Sequence, residues 1–294
     1  MKSEPLVDRA FLEKLERLTL HWQKSFQGLV GGHNSSRSSG AGQEFHDHRH
    51  FHHGDDLRAV NWRAYLRLEK LFLKLFQMEP RVPVRVLLDI SASMSTGGAH
   101  AKFDYARKLA AAMSYVGLVR LDTIAIHPFH RALEDRFLCS GGRHRFGPIS
   151  DFLQSLRLES QTDYLPVARQ FLGQYSQCGL LIIISDFLGD GGCEKPVQYL
   201  ADFGHELFLV HLWAEEDRDP PWDGELELVD AETGGKLDLE FDDAARGRYR
   251  DAFDQWAASV EKLALRNGGR YAGLSTLTPV EDAIFGPLAS IWGR

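Results

Sequence analysis

From Val82 onward the chain repeats one pattern: a short apolar run, a turn, a helical stretch, then another apolar run. This alternation marks a mostly parallel sheet with helices on both faces, because a strand buried on both sides carries apolar residues at successive positions. Val84 to Ile90, Thr123 to His127, Leu180 to Ser185, Leu207 to Leu212 and Tyr271 to Leu274 read as strands. Lys102 to Val119, Tyr164 to Tyr175, Pro196 to Phe203 and Asp243 to Asn267 carry helical periodicity between them. Leu226 to Val229 and Leu237 to Phe241, joined around Thr233-Gly234-Gly235, predict a hairpin inserted before the last long helix. The fold class is therefore α/β, a mostly parallel doubly wound sheet flanked by helices.

Residues 82–294 form the sheet domain in this reading, and 1–81 form a helix, a loop and an arm packed on it. Val7, Phe11, Leu15, Leu18 and Trp22 are spaced by four and three, which puts them on one helical face. The Gly- and Ser-rich stretch Gly31 to Gly42 has no apolar periodicity and reads as a loop. Leu71 to Gln77 alternates in the manner of a strand. The longest apolar run, Gly179 to Ile184, is far short of the roughly 20 residues that cross a bilayer. Charge throughout the first 17 residues is unlike a signal peptide. A cytoplasmic protein without direct membrane insertion is expected. Cys139, Cys178 and Cys193 have neither the number nor the spacing of a disulfide framework or zinc site. A net charge of −7 argues against nucleic-acid binding.

The chemistry gathers at strand ends, where an open parallel sheet binds its ligands. Asp89 closes the run Val84-Arg85-Val86-Leu87-Leu88, and Ser91 and Ser93 follow at two-residue steps. Thr162, ahead of a helix, and Asp186, after the most apolar strand, supply matching groups from two further loops. Two carboxylates and three hydroxyls are hard oxygen donors of low total charge, suited to Mg²⁺ or Mn²⁺. At Asp89 alone, an N-cap and turn would be the bland alternative.

In the order DxSxS, Thr, Asp, these five positions resemble the metal-ion-dependent adhesion site of the von Willebrand factor A fold, a Rossmann-like architecture. The resemblance implies that the hydroxyls touch the metal directly, that one or both aspartates act through water, and that a partner's Glu or Asp fills an open coordination position. The stretch from Gly42 to Glu79 adds a second likeness. Glu44-Phe45, Arg49, Gly54-Asp55-Asp56, Arg58 and Trp62 resemble the arm of the bacterial family known as domain of unknown function 58, EF-x3-R-x-Y-x2-GDD-x-R-x3-DW. Phe51 stands for an expected Tyr and Asn61 for an expected Asp, so any ion pair of that Asp is in doubt. That family implies a MoxR-type AAA+ ATPase as partner, in chaperone-like assembly or maturation.

Arg49, Asp55, Asp56, Arg58, Trp62 and Arg67 predict a buried ion-pair network that fastens the arm, or else a surface for a partner's phosphates or carboxylates. His46, His48, His50, His52 and His53 fall mainly between the patterned residues and read as a solvated face. Catalysis is not expected. A phosphoryl-transfer hydrolase with Asp89 as nucleophile is the nearest alternative, but that chemistry wants a second carboxylate two residues on, where Ser91 stands. No Walker A pattern appears, so this chain is not the ATPase.

Overall fold

The computed structural model describes residues 6–16, 44–52, 60–77, 83–98, 101–159, 161–175, 177–189, 191–230 and 233–289. The chain divides into two compact units, Met1–Gln27 with Val82–Arg294, and Gly28–Arg81. The elements in order are helical residues 9–16 (α1), β1 (Glu44–His50), α2 (Trp62–Leu68), β2 (Phe72–Gln77), β3 (Pro83–Asp89), α3 (Lys102–Val119), β4 (Thr123–Phe129), β5 (Phe137–Cys139) and α4 (Phe146–Ser155). There follow α5 (Tyr164–Gln174), β6 (Leu180–Ser185), α6 (Glu194–Asp202), β7 (Glu206–Trp213), α7 (Glu215–Arg218), β8 (Gly224–Val229), β9 (Lys236–Phe241), α8 (Asp243–Arg266), β10 (Arg270–Ser275) and α9 (Val280–Phe285).

Six strands build the main sheet in the order β10-β7-β6-β3-β4-β5. All neighbours are parallel except β5, which runs antiparallel to β4 at one edge. The architecture is the mostly parallel α/β fold, with helices on both faces of the sheet, that the sequence pattern predicts. Alternation along the strands sorts the core into two layers. Val84, Val86, Leu88, Ile182, Ile184 and Phe208 meet Leu109 and Met113 of α3 on one face, while Leu87, Leu181, Ile183 and Leu209 meet Phe171 of α5 and Val260 of α8 on the other. Helix α3 is buried nearly all round, consistent with its run Leu109-Ala110-Ala111-Ala112-Met113, whose small residues admit close neighbours.

Helix α1 belongs with this unit: Val7, Phe11 and Leu15 join the α3 layer, and Lys14 pairs with Glu281 at 2.6 Å. The sequence reading counts this helix in 1–81 and packs it on the sheet domain, and its apolar face lies in that domain's core. The β8–β9 hairpin is antiparallel as expected, with Leu226 opposite Leu239. The unit Gly28–Arg81 pairs β1 with β2 antiparallel, Glu44 opposite Gln77 and His50 opposite Phe72, with a bulge between Phe45 and Asp47. The Gly31 to Gly42 loop lies outside the described residues.

Close approach fixes one glycine of the sheet. A Cβ on Gly179, at the entry to β6, would lie 2.5 Å from the Pro83 carbonyl oxygen, a backbone atom that cannot rotate away. Gly179→Ala is expected to destabilise the fold by about 1–3 kcal/mol through overpacking, read as a lower urea midpoint. An unchanged midpoint would contradict the packing of β6 against β3 at this point.

Candidate metal centre

Strand β3 lies between β4 and β6, which carry the chain toward opposite edges of the sheet. The carboxyl end of β3 is thus the topological switch point, where helix connections diverge and leave a crevice. Asp89 ends β3 and Ser185 ends β6, with Asp186 next in the chain. Ser91 leads into a 3₁₀ turn over Ala92–Ser95 that contains Ser93. Thr162 sits two residues ahead of α5, whose first turn is capped by the Asp163 side chain accepting from the Leu165 N–H at 3.1 Å.

The five expected donors therefore face one crevice from three loops. Asp89, Ser91, Thr162 and Asp186 are buried, and Ser93 is half-buried. The Asp89 carboxylate accepts from the Ser91 N–H at 2.9 Å and, on its other oxygen, from the Ser185 hydroxyl at 2.6 Å. Thr162 Oγ1 lies 3.5 Å from Asp89 Oδ1, and the Ser91 and Ser93 hydroxyls are 3.0 Å apart. Burial, and then the charge of Asp186, push the Asp89 carboxyl up to about 7, against the pull of its hydrogen bonds from Ser185 and Ser91.

Backbone strain is concentrated here as well. Phe187, directly after Asp186, is a buried non-glycine residue with φ of 56°, in the left-handed region. Two hydrogen bonds hold it there: its N–H donates to Ser185 Oγ at 2.9 Å, and the Leu188 N–H donates to Asp186 Oδ1 at 3.1 Å. Such strain persists where surrounding structure over-determines the backbone, commonly at functional sites.

Two charged residues and one hydroxyl that the sequence reading does not assign as donors complete the centre. Lys102, the first residue of α3, is fully buried and donates to Asp186 Oδ2 at 2.7 Å. It also lies 2.9 Å from Oδ2 of Asp217, in α7 just after β7. Burial draws the Lys102 ammonium down, but the Asp186 and Asp217 carboxylates outweigh that and hold it above the ordinary lysine range. Ser185, whose hydroxyl also lies 2.9 Å from the Tyr164 hydroxyl, is the residue next to a predicted ligand and could have been suspected on that ground.

The donor chemistry fits a small hard divalent ion. Two buried carboxylates and three hydroxyls offer oxygen only, at low charge. Among the described residues, no group of three or more His, Cys, Asp or Glu is arranged to hold a metal. Beside the centre lies a groove of about 650 Å³ lined by Ser93, Phe187, Leu188, Trp256 and Leu263 among others.

The arm residues stand differently. Asp55, Asp56, Arg58 and His53 lie outside the described residues, and of Arg49 only its place in β1 is described. Trp62, expected at the heart of a buried network, is 55% exposed and meets Tyr65 edge-on, and Arg67 is exposed in the last turn of α2. Helix α2 buries none of its residues. Asn61 caps α2 by accepting from the Ala64 N–H at 3.3 Å, a task that Asn and Asp perform equally well. The departure from Asp at this position therefore costs no cap. His50 stacks in a tilted contact with Phe72 at 4.7 Å between ring centroids.

Comparison with known proteins agrees with the family resemblance. The family described as Protein of unknown function DUF58 matches residues 47–261. The chain belongs to the DUF58 family. Similar relatives are the uncharacterized proteins Rv1480 of Mycobacterium tuberculosis and Mb1516 of Mycobacterium bovis, each 24% identical over 269 residues, which cover 89% of this chain and 84% of theirs. Among solved structures, BatB from Bacteroides thetaiotaomicron aligns at 17% identity and a TM-score of 0.44, covering 71% of this chain and 98% of that one. An aerotolerance-related membrane protein from Bacteroides fragilis aligns at the same identity and TM-score. Among the described residues of this DUF58 chain, no helix is long and apolar enough to cross a membrane.

Proposed function

We propose that the chain is a metal-dependent protein-interaction module, using Asp89, Ser91, Ser93, Thr162 and Asp186 to hold Mg²⁺ or Mn²⁺ and a partner's acidic side chain to complete the coordination. The observation that carries this reading is the convergence of those five oxygen donors at the switch point of the sheet. When bound, the metal supplies a positive pole for a carboxylate. The chain's own residues orient and exclude: Ser185 fixes Asp89, the strained Phe187 turn fixes Asp186, and the neighbouring groove gives apolar surface for a docked segment. The partner in this reading is a MoxR-type AAA+ ATPase, the setting is the cytoplasm, and the work is assembly or maturation of other proteins. Two features weigh against the hydrolase alternative. Both Asp89 oxygens accept hydrogen bonds in a buried position, and the nearby Lys102 is directed to Asp186 and Asp217.

Millimolar Mg²⁺ or Mn²⁺ is expected to raise the melting temperature, since a ligand at ten times its Kd stabilises by about 1.4 kcal/mol. Recovery of a MoxR-type ATPase from the native host on immobilised chain is expected with metal and lost with chelator or in Asp89→Asn. Equal recovery in all three would sink the proposal, and turnover of a phosphatase substrate that vanishes in Asp89→Asn would replace it with the hydrolase.

A further inference from the structure

A lysine with no exposed surface is costly unless carboxylates surround it. Lys102 has two, and one of them, Asp186, is a donor of the proposed metal centre. The second, Asp217, is itself bound from two further directions. The Thr96 hydroxyl lies 3.1 Å from its Oδ1, and the Ala214 N–H donates to its Oδ2 at 2.9 Å. Thr96 Oγ1 also lies 3.2 Å from the Ser93 carbonyl oxygen, so the turn that carries Ser91 and Ser93 is tied to the turn after β7 through the same carboxylate that holds the lysine.

We infer that Lys102 is a built-in counter-cation of the metal centre: it shares Asp186 with the divalent ion, holds down the affinity for that ion, and links occupancy of the centre to the Asp217 turn. The inference rests on the metal reading above. Its physical basis is competition between like charges. An ammonium bonded to Asp186 repels a divalent ion brought to the same carboxylate, and Asp217 sets how strongly the ammonium leans on Asp186. Without the ion, the lysine compensates the buried Asp186 and the half-buried Asp217. With the ion, Asp217 is the partner left to receive it.

The two ends of the bridge should therefore act with opposite sign on metal binding. Titration calorimetry with MgCl₂ on the full chain is expected to give at least tenfold tighter binding for Lys102→Met than for the wild type, with a larger Mg²⁺-dependent rise in melting temperature. Asp217→Asn leaves the ammonium to Asp186 alone and is expected to bind at least tenfold more weakly. In wild type, Mg²⁺ should change the hydrogen-exchange rate of the Ala214 amide, and in Lys102→Met it should not. A merely structural bridge would lower both melting temperatures and leave the affinity unmoved, and that result overturns the inference. If Lys102→Met does not fold, the Asp217→Asn affinity decides by the same criterion. Asp89→Asn separates the two readings. Wild-type binding that disappears in Asp89→Asn, with no change in the Lys102 and Asp217 variants, keeps the metal and removes the counter-cation, whereas no binding by the wild type removes both.

Discussion

Replacing Asp186 by alanine should lower the stability of the folded chain by about 3 kcal/mol, because removing one partner of a buried ion pair leaves a charge without compensation. The Lys102–Asp186 pair is almost wholly withdrawn from water, with both side chains 1% exposed, so solvent cannot take over the role of the lost carboxylate. Asp217 remains 2.9 Å from the ammonium, which places the effect at the lower end of the usual range for such deletions. The Leu188 N–H loses its acceptor as well, at about 1 kcal/mol, and with it one of the two bonds that hold Phe187 in its strained conformation. A domain of ordinary stability, about 5–15 kcal/mol, would survive the change but unfold at a visibly lower urea concentration. A loss under about 1 kcal/mol would show that the ammonium is not dependent on Asp186. Asp186→Asn, which can keep the Leu188 bond, separates the charge from the turn.

Asp89→Asn is expected to do the reverse in the absence of metal. The folded protein raises the Asp89 carboxyl to about 7, above its unfolded value near 3.9. A carboxyl raised in this way binds its proton more tightly in the folded state. The associated stability is fully present below about pH 4 and is lost as the pH rises toward and through about 7. At pH 8 the wild type then carries a buried carboxylate facing Asp186. A rise from near 3.9 to about 7 corresponds to a penalty of at most about 4 kcal/mol. Asparagine has the same shape and cannot ionise, but its amide nitrogen cannot accept, so one of the bonds from Ser91 and Ser185 is lost at about 1 kcal/mol. In chelator at pH 8, Asp89→Asn should be more stable than wild type by about 1–3 kcal/mol, with the advantage vanishing as the pH falls toward 4. Saturating Mg²⁺ should favour the wild type, since only the carboxylate gains from the ion. Urea midpoints at pH 5 and pH 8, with and without Mg²⁺, test both halves. Parallel pH dependence in the two proteins would mean that burial does not hold the Asp89 carboxyl up.

Much of this was legible in the sequence for one physical reason: strands buried on both faces cannot hide their apolar runs. Strand β6 begins at Leu180 and ends at Ser185, and helix α3 spans Lys102 to Val119, where the pattern puts them. Elements without a two-sided apolar signal escaped. Strand β5 is three residues long with Leu138 more than half exposed, and α4 opens on Phe146-Gly147-Pro148, residues that read as a turn although proline suits the first turn of a helix. The five donor positions were readable because each stands at a strand end or just ahead of a helix. Lys102 was not, since its reach to Asp186 depends on a long side chain crossing between elements that sequence spacing does not relate. Asp217 stands in Glu215-Glu216-Asp217-Arg218-Asp219, where no local feature sets it apart from its acidic neighbours. The arm misled in a different way: charges around Trp62 suggested burial, but a short helix that exposes Trp62 and Leu66 carries the same composition.

The crevice also has a history in time. Ser185 reaches Asp89 across 96 positions of chain, Lys102 reaches Asp186 across 84, and Thr96 reaches Asp217 across 121. Contacts so distant along the sequence form only after long loops have closed, and proteins dominated by them fold slowly. A chain still emerging from the ribosome can complete β3 and α3 and yet hold no assembled centre until β6 and β7 have docked beside them. Cation binding by these residues would thus report the finished fold, and a partner that recognises the assembled crevice would pass over every incomplete copy of this chain.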